Sequence, residues 1–455
     1  MYRNKKVLIF GLGLNDGGLG MTQYFLEQGA KVTITDMKSK EELAEPLKQI
    51  SKYKNVVFHL GEHIEKDFIE NDIIVRNPAI KPDNKYLKIS RDSGKEIVME
   101  MALFHKQAPC PIIGITGTRG KSTTTTLIYE ILKSVYDEKV LLGGNIGKSA
   151  VRELPNLTKN DIAVLELSSF QLDGMGESRI SPHIAVITNI YKDHLDWHND
   201  IDEYIDTKKN IFKYQNTDDY LVLNIDNNIT RNFIKESPGK VVTYSLKDKK
   251  ADYYIDTNLT VFEKGKKILS IKEPILEGEH NHYNTLCAIA TTRIYDIPIE
   301  TIKSVVENFV GIPNRQEFVG EIGGVKYYND SCATSVEAIK AMFERFGDKY
   351  KGKIIMIGGG VDKGLGYEAV LDDMRKYLKA LILFEGSASD RIDSIVGSYV
   401  EIYKYFSNMK DAVDEAKELS DKGDIIILCP GASSFNMFIN EFDRGDQFVE
   451  YVNSL

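Results

Sequence analysis

The stretch Gly114-Ile115-Thr116-Gly117-Thr118-Arg119-Gly120-Lys121-Ser122-Thr123 decides the fold of this chain. It continues the apolar run APCPIIG and leads into TTTTLIYEILK, so a buried strand should pass through a glycine-rich turn into a helix. Such a turn directs backbone N–H groups and the positive end of the helix dipole at phosphate oxygens. Its lysine can reach the β- and γ-phosphates, and its serine can ligate magnesium. We therefore predict an ATP site at Gly117, Thr118, Gly120, Lys121, Ser122 and Thr123.

The spacing of this turn differs by one residue from the common P-loop, whose first glycine would fall on Ile115 instead of Gly114. A glycine turn that binds no ligand is the simpler alternative. A Gly-Lys-Ser junction between a strand and a helix has little structural need for the lysine, and this favours the nucleotide site.

Further strands on both sides of the turn predict three α/β segments. KVLLGG, DIAVLEL, HIAVITNI and DYLVLNI alternate with helix-length stretches, which is typical of a mostly parallel sheet covered on both faces. Before them, KVLIFGLG, a glycine turn, a helix around Met21 to Gln28 and KVTITD form a βαβ pattern. After NFVGIPNR, the strands GVKYYND, KIIMIGG, ALILFEG and DIIILCPG alternate with helices again.

We predict an α/β fold of three consecutive α/β domains, Rossmann-like at both ends and P-loop ATPase-like in the centre. The expected ranges are 1–107, 108–310 and 311–455. Residues 240 to 275 have a more antiparallel character and are predicted to form a side sheet.

Composition excludes several classes of protein. The net charge of −9 and the pI near 5.6 disfavour a nucleic-acid partner, because no long basic block offsets the acidity. The sequence shows no long apolar run and no signal-peptide pattern, so we expect a cytoplasmic protein without membrane insertion. Four widely spaced cysteines predict neither a disulfide framework nor a zinc site. We expect a monomer.

Polar side chains stand where two of the predicted central strands end. Glu166 lies in VLELSSFQLD and His194 in NIYKDHLDWH. Doubly wound sheets collect ligands at the carboxyl ends of their strands, where a carboxylate could serve magnesium. Taken singly, Glu166 could cap a helix and His194 could be a hydrogen-bonded structural residue. The neighbouring phosphate turn favours a metal role for both.

Eight motifs occur in one order along nearly the whole chain: GTRGKST, GGNIG, ELSSFQLD, DHLDWH, GEHNHYN, NRQEF, YYNDSCAT and PGASSFNMF. This combination resembles the Mur ligase family. LSSFQL, NDSCAT and PGASSFNMFINEFDRGDQF look like the branch that adds D-glutamate. The resemblance implies an ATP-dependent ligase that adds D-glutamate to UDP-N-acetylmuramoyl-L-alanine through an acyl phosphate, during peptidoglycan precursor synthesis. It also implies that the third domain closes over ATP.

The resemblance implies roles for the phosphate and metal residues. Lys121 would bind the γ-phosphate, Ser122 and Glu166 one magnesium ion, and His194 a second. Lys208 in YIDTKKNIF falls where the family has a lysine carbamylated by carbon dioxide, which turns a cation into an anionic magnesium ligand. The alternative for Lys208 is an exposed helix lysine paired with a nearby acid, and spacing alone does not separate it from Lys209.

Other nucleotide contacts follow from the same resemblance. Asn281 and Asn284 would lie at the adenine or ribose, on one helical face at i, i+3 spacing. Helix capping is the alternative. Arg315 and Asp330 would contact ATP from the third domain, with Arg315 supplying positive charge during phosphoryl transfer. A surface salt bridge is the alternative for this pair.

The amino acid and the acceptor need further residues. The resemblance implies that the amino acid contacts Thr334, Lys363, Ser434 and Phe442, although residue type alone favours a core role for Phe442. It places Asn145 and Ser168 near substrate, where a turn role is the alternative for Asn145. The uridine diphosphate would contact Gly13, Leu14, Asn15, Asp36 and Lys38 in the first domain. A glycine turn of this kind, running from Gly11 to Gly18, would equally suit a nicotinamide cofactor.

Three departures from the family pattern bear on specificity. Cys332 stands where lysine is usual, Asn314 replaces the histidine before Arg315, and Asn77-Pro-Ala79 replaces Ser-Pro-Gly. Another Mur ligase, a folylpolyglutamate-type ligase and a non-catalytic nucleotide-binding regulator therefore remain as alternatives. A dehydrogenase function, which the N-terminal glycine turn would suit, would leave the central phosphate turn unexplained.

Overall fold

The structure is a computed structural model that describes residues 2–14, 16–146, 149–194, 197–272, 278–362, 366–397, 400–434 and 437–455. The chain divides into two compact units, Met1–Phe309 and Val310–Leu455. The described residues form three β-sheets, two in the first unit and one in the second. Within the described part of the chain, no helix combines the length and apolar character needed to span a membrane.

The first sheet is parallel, and its strands pair in the order β3-β2-β1-β4-β5. Its inner strands are apolar on both faces, which suits a sheet covered by helices. The elements are β1 (Lys6–Phe10), α1 (Asp16–Glu27), β2 (Lys31–Asp36), α2 (Ala44–Ile50), β3 (Val56–Leu60), α3 (Glu65–Glu70), β4 (Ile73–Arg76), α4 (Lys85–Asp92), β5 (Glu96–Val98) and α5 (Glu100–Gln107).

The second sheet surrounds the phosphate turn and has the order β14-β13-β12-β11-β10-β9-β6-β8-β7. Its elements are β6 (Ile112–Thr116), α6 (Lys121–Tyr136), β7 (Val140–Gly144), β8 (Ile162–Glu166), α7 (Ser169–Glu177), β9 (Ile184–Ile187), α8 (Ile201–Lys209), β10 (Tyr220–Asn224), α9 (Asn228–Asn232), β11 (Lys240–Ser245), β12 (Tyr253–Ile255), β13 (Thr260–Glu263), β14 (Lys266–Ser270), α10 (Glu279–Thr292) and α11 (Ile299–Asn308). Short 3-10 helices lie at Asp137–Lys139, Ala150–Asn156, Phe233–Lys235 and Arg293–Tyr295.

The prediction of a separate side sheet at residues 240 to 275 was wrong. β11 and β12 continue the central sheet in parallel, and only the pairs β12–β13 and β13–β14 are antiparallel. β6 lies between β8 and β9, so the polar residues at the ends of these three strands meet at one edge.

One apolar core continues from the first sheet to one face of the second. It includes Val7 and Val32 from the first sheet, Phe104 from α5, and Leu165 and Leu223 from the second. This shared core explains why both sheets belong to one compact unit.

The second unit is built on a sheet of order β15-β16-β20-β17-β18-β19, in which only the pair β15–β16 is antiparallel. Its elements are β15 (Glu317–Ile322), β16 (Val325–Asn329), α12 (Val336–Phe346), β17 (Ile354–Gly358), a 3-10 helix (Tyr367–Val370), α13 (Leu371–Tyr377), β18 (Leu378–Phe384), α14 (Ser387–Val396), β19 (Glu401–Phe406), α15 (Met409–Glu418), β20 (Ile425–Leu428) and α16 (Glu441–Asn453). The predicted α/β architecture is confirmed. The ranges of the three predicted domains stay predictions.

Candidate active site

The phosphate turn connects β6 to α6, as the sequence predicts. Gly117 and Gly120 have φ of 155° and 79°, in the region that favours glycine. A Cβ at Gly117 would lie 1.9 Å from the Thr188 Oγ1, and one at Gly120 would lie 2.2 Å from the Asn284 Oδ1. The Lys121 Nζ donates to the carbonyl oxygens of Gly117 at 3.0 Å and of Thr118 at 3.1 Å. The turn is therefore a tightly packed loop with its lysine folded along it, and Ser122 and Thr123 lie in the first turn of α6.

Two residues that the sequence analysis missed brace this turn. The Thr188 Oγ1 donates to the Arg119 carbonyl oxygen at 2.7 Å, and the Thr188 N–H donates to the Thr116 carbonyl oxygen at 3.0 Å. The Asn189 Oδ1 accepts from the Arg119 N–H at 2.9 Å, and the Asn189 carbonyl oxygen accepts from the Thr118 N–H at the same distance. Their position directly after the buried run IAVI of β9 is the signal that could have identified them.

Glu166 and Asn145 meet at the carboxyl ends of β8 and β7. Glu166 is 2 % exposed, and its Oε1 accepts from the Asn145 Nδ2 at 2.8 Å. The Asn145 N–H also donates to the Glu166 carbonyl oxygen at 2.8 Å. The Glu166 Oε2 is buried and has no hydrogen-bond partner among the described residues. Because a buried carboxylate oxygen without a donor is costly, this oxygen fits a bound cation.

Lys208 is buried beneath the phosphate turn, with 1 % exposure. Its Nζ donates to the Thr116 Oγ1 and to the Gly117 carbonyl oxygen, each at 3.1 Å. Burial and the charge of Lys121 lower the pKa of Lys208 well below its usual value, against the opposing influence of Asp193 and Glu166. An amine in this position is driven toward its neutral form.

The neighbouring Lys209 pairs with acidic side chains, which was the alternative interpretation of Lys208. Its Nζ pairs with Glu236 at 2.9 Å and with Asp206 at 3.4 Å. The structure thus separates the two lysines, because only Lys208 reaches the phosphate turn. The interpretation of Lys208 as an exposed lysine paired with an acid was wrong.

His194 and Ser168 lie near the same edge of the sheet. His194 has φ of 51°, its Nε2 lies 3.6 Å from the Asp193 Oδ2, and its ring packs edge-on against Phe170. Ser168 forms a capping box with Gln171 at the start of α7, which gives it a structural role. In the part of the chain that the structure describes, no three His, Cys, Asp or Glu side chains group closely enough to hold a metal ion. Of the four predicted magnesium ligands, only Glu166 and His194 are of these residue types, and the others are Ser122 and Lys208. The magnesium site stays a prediction.

Asn281 and Asn284 lie in α10 beside the phosphate turn. The Asn284 Oδ1 accepts from the Thr124 Oγ1 at 3.4 Å, and its Nδ2 donates to the Asn281 Oδ1 at 3.3 Å. Gly278 precedes the helix as its N-cap, so neither asparagine caps it. Both residues are buried, Asn284 lies next to Gly120, and the predicted contact of the two amides with the base or ribose stays a prediction.

Asp36 organises the glycine turn of the first sheet. Its Oδ2 accepts from the Gly13 N–H and its Oδ1 from the Lys38 N–H, both at 2.9 Å. Leu14 is 62 % exposed at the tip of the turn. The predicted contact at Asn15 lies outside the described residues. The turn gathers four of the five predicted acceptor residues at the carboxyl edge of the sheet.

The glycine run continues into α1 instead of forming one long turn. α1 begins at Asp16, earlier than the predicted helix around Met21 to Gln28. A Cβ at Gly18 would lie 2.1 Å from the Leu12 carbonyl oxygen, and one at Gly20 would lie 2.0 Å from the Ser149 Oγ. Close packing therefore explains both glycines, of which Gly18 was predicted to belong to the diphosphate turn.

The second unit carries its own group of predicted residues. Asp330 is buried at the end of β16, and its Oδ1 accepts from the Gln316 N–H at 3.2 Å. Burial raises the pKa of Asp330 to about 7, although this hydrogen bond and the charges of Arg315 and Arg345 oppose the shift. Arg315 itself is exposed.

Two of the four candidate amino-acid residues, Ser434 and Thr334, follow strands of the second unit. Ser434 follows β20, is 2 % exposed, and has no hydrogen-bond partner for its Oγ among the described residues. Thr334 follows β16. Lys363 lies outside the described residues. Phe442 is 54 % exposed in the first turn of α16, so the core interpretation of this residue was wrong.

Arg444 joins the two turns that carry Thr334 and Ser434, and the sequence analysis missed it. It is 1 % exposed, and its guanidinium donates to the Ser331 Oγ at 3.0 Å and to the Ser331 carbonyl oxygen at 2.8 Å. It also donates to the Ala432 carbonyl oxygen at 3.3 Å. Its partners are far apart in sequence, so no local pattern identified it.

Known protein families match all three parts of the chain. The models described as "Mur ligase MurD-like, N-terminal domain", "Mur ligase middle domain" and "Mur ligase, glutamate ligase domain" match residues 5–99, 115–292 and 314–432. A relative from Roseiflexus sp. (strain RS-1), named UDP-N-acetylmuramoylalanine--D-glutamate ligase, is 36% identical over 99% of this chain and 98% of its own. A relative of the same name from Clostridium kluyveri is 37% identical over 99% and 97%.

Solved structures share the fold at low sequence identity. The UDP-N-acetylmuramate-alanine ligase MurC from Thermotoga maritima superimposes with a TM-score of 0.60 at 19% identity, covering 99% of both chains. The MurF ligase from Thermotoga maritima in complex with ADP gives a TM-score of 0.54 at 15% identity, covering 100% of this chain and 95% of its own.

Proposed function

The chain belongs to the Mur ligase family, and on that premise we propose that it joins D-glutamate to UDP-N-acetylmuramoyl-L-alanine while converting ATP to ADP and phosphate. The observation that carries this proposal is the match of nearly the whole chain to relatives named for that reaction. The phosphate turn, with Glu166 and Lys208 beside it, supports a phosphoryl-transfer step.

The chemistry requires activation of a carboxylate, since its negative charge opposes attack by an amine. The alanyl carboxylate of the acceptor attacks the γ-phosphate of ATP, which forms an acyl phosphate and releases ADP. The amine of D-glutamate then forms the amide bond, and inorganic phosphate leaves. Lys121 and Arg315 are the cations assigned to the developing phosphate charge.

The residues around the turn fit ATP with magnesium. Backbone N–H groups at the start of α6 suit phosphate oxygens, and the buried Glu166 Oε2 suits a cation. Ser122, Glu166 and His194 are the candidate ligands. Magnesium, when bound, would supply positive charge to the phosphates.

We propose that Lys208 is carbamylated, because its amine lies at the phosphate turn. Its Nζ lies 3.1 Å from the Gly117 carbonyl oxygen, among the groups that would hold ATP and metal. A neutral amine adds to carbon dioxide and loses a proton, which gives an anionic carbamate. The lowered pKa of Lys208 favours the neutral amine that this addition requires.

Amino-acid binding is assigned to the second unit. Ser434 supplies a buried hydroxyl without a described partner, and Thr334 and the exposed ring of Phe442 belong to the same unit. Lys363 is the proposed cation for the glutamate carboxylates.

A product assay tests the proposal. UDP-N-acetylmuramoyl-L-alanine and ATP are supplied with D-glutamate, L-glutamate, L-alanine, L-lysine or diaminopimelate in separate reactions. We expect phosphate release and a product of the correct mass only with D-glutamate. Turnover with a different amino acid would replace the specificity assignment and keep the chemistry. No turnover with any of them, from folded protein that binds ATP, would overturn the proposal.

A further inference from the structure

Arg315 lies in a turn whose backbone is left-handed on both sides of it. Asn314 has φ of 63°, and Gln316 has φ of 46°. The Arg315 N–H donates to the Ile312 carbonyl oxygen at 3.1 Å, which closes a four-residue turn with Pro313 second. Proline followed by a residue of positive φ is typical of a type II β-turn, but a second left-handed residue after it is uncommon for glutamine. Such a conformation persists only where neighbouring contacts hold it.

Asn314 is anchored to residues outside this turn. It is 5 % exposed, and its Oδ1 accepts from the Asn329 Nδ2 at 3.0 Å. Its N–H donates to the Glu317 Oε2 at 2.9 Å, and the same oxygen accepts from the Asn329 Nδ2 at 3.1 Å. The Asn314 carbonyl oxygen accepts from the Cys332 N–H at 2.9 Å. The backbone and the side chain of Asn314 therefore both fix the turn to the end of β16.

Helix α16 makes room for this anchor at Gly445. A Cβ there would lie 1.5 Å from the Asn314 Oδ1 and 3.0 Å from the Asn329 Nδ2. The Asn329 Nδ2 also donates to the Gly445 carbonyl oxygen at 3.4 Å. Buried amides that are hydrogen-bonded in this way specify one arrangement of the segments they join. The position of Asn314 thus depends on a glycine in α16.

Gln316 is held on the other side of Arg315. Its N–H donates to the Asp330 Oδ1 at 3.2 Å. The Arg345 guanidinium donates to the Gln316 carbonyl oxygen at 2.9 Å and to its Oε1 at 3.2 Å. Arg315 itself is exposed. Both neighbours of Arg315 are therefore fixed by hydrogen bonds, while its own side chain stays accessible.

We infer that Asn314 is a positioning residue, which through Asn329 and the space at Gly445 fixes the backbone of Arg315 for its action on the developing phosphate charge. This inference rests on the proposed function, in which Arg315 is one of the two cations at the phosphates. Asn314 acts through Arg315, because its own amide is buried against α16. The residue that replaces the family's histidine thus supports the neighbouring arginine from inside the second unit.

The test begins with Asn314→Gly in the full-length protein. Glycine adopts the positive φ of Asn314 without strain, so the variant removes only the side-chain amide. We expect kcat to fall about tenfold to a hundredfold, since a small misplacement of a catalytic group has effects of this size. The KM for D-glutamate should stay unchanged. A general disturbance of the second unit would raise it, because the candidate residue Thr334 closely follows Cys332.

A double-mutant cycle with Arg315→Ala separates positioning from a general loss of structure. Asn314→Gly should lower kcat when Arg315 is present and leave the residual kcat of Arg315→Ala unchanged. An equal loss in both backgrounds would overturn the inference, because Asn314 would then act independently of Arg315.

Gly445→Ala tests the anchor from α16. Its Cβ would displace the Asn314 amide, so kcat should fall as it does in Asn314→Gly. Once Asn314→Gly has removed that amide, adding Gly445→Ala should lower kcat no further. A second loss of the same size in the combined variant would contradict the inference.

Hydrogen exchange supplies a readout that needs no turnover. The Cys332 amide, which donates to the Asn314 carbonyl oxygen, should exchange faster in Asn314→Gly, while the amides of β20 keep their protection. If wild-type protein turned over no acceptor, the proposed function would fail, and the exchange at Cys332 would still test the anchor.

Asn4→Gly is the matched control. Asn4 has φ of 65°, close to that of Asn314, but it is exposed and belongs to the first unit. This variant should change neither kcat nor the exchange of Cys332. Unchanged kcat and unchanged Cys332 exchange in Asn314→Gly would overturn the inference, as would equal effects of Asn4→Gly.

Discussion

Lys208 shows how one side chain links burial to chemistry. Its amine lies under the phosphate turn at 1 % exposure, between two hydrogen-bond acceptors and near the charge of Lys121. A lysine kept there unmodified reduces stability, because burial disfavours its charged form. This cost supports the proposed role of Lys208 in the phosphoryl-transfer site.

Replacing Lys208 should separate activity from stability. We expect Lys208→Met to lower kcat by about a hundredfold, at the upper end for groups that support a metal site. Tm should not fall, since the variant removes a buried amine and keeps an apolar stem. Lys209→Met is the control and should keep its activity, because Lys209 pairs with Glu236 away from the turn.

The carbamate itself is measurable. Protein equilibrated with ¹³C-labelled bicarbonate should give one carbamate signal in carbon NMR that is missing from Lys208→Met. Normal turnover by Lys208→Met, or an identical spectrum for the two proteins, would contradict the assignment.

Asp330 predicts a pH effect with a definite sign. Burial raises its pKa from 3.8 to about 7, so the folded protein keeps a proton that the unfolded chain loses between these values. The contribution of Asp330 to stability therefore falls as pH rises through that window, by up to roughly 1.4 kcal/mol per pH unit. Asp330→Asn should flatten this slope when unfolding free energies are measured across the window. Parallel pH profiles for the two proteins would contradict the prediction.

At the scale of elements, the phosphate turn between β6 and α6 illustrates what the local sequence can specify. The order of strand, glycines, lysine and helix predicted the turn and its direction, and the structure has both. The partners that hold it could not be predicted locally, because Thr188 and Asn284 come from elements far along the chain.

The variant Gly120→Ala tests the packing of the phosphate turn, and Gly265→Ala is its matched control. Gly120 and Gly265 share φ of 79°, but a Cβ at Gly265 would meet no atom within 4 Å. Both alanine variants should lose about 1 kcal/mol from backbone strain, while only Gly120→Ala also displaces Asn284. We expect calorimetry to show ATP binding lost in Gly120→Ala and kept in Gly265→Ala. Equal ATP affinities would contradict this account of the turn.

Helix α1 shows where the element prediction failed. The predicted turn extended to Gly18, yet Gly17 and Gly18 lie in the helix, where the neighbours of Gly18 leave no room for a Cβ. This steric restriction arises from tertiary packing, so the local sequence does not reveal it. The same limit applies to Arg444, whose partners Ser331 and Ala432 lie at other strand ends.

At the scale of the whole molecule, alternating strands and helices predicted three α/β segments, and three sheets are present in the described residues. The continuous core of the first two sheets was not predictable, since it depends on which helix faces meet. Glu166 and Lys208 were predicted from strand-end position and family resemblance, and the structure brings both to the phosphate turn. The contact of the Asn145 amide with the Glu166 carboxylate became visible only in the three-dimensional structure.

Oxygen transfer tests the central claim most directly, namely that this chain activates a carboxylate by phosphorylation. The acceptor is prepared with ¹⁸O in its alanyl carboxylate and turned over with ATP and D-glutamate, and the released phosphate is analysed by mass spectrometry. Attack of that carboxylate on the γ-phosphate predicts one ¹⁸O atom in each phosphate formed with amide product. Amide product accompanied by unlabelled phosphate would contradict the acyl phosphate and the account built on it.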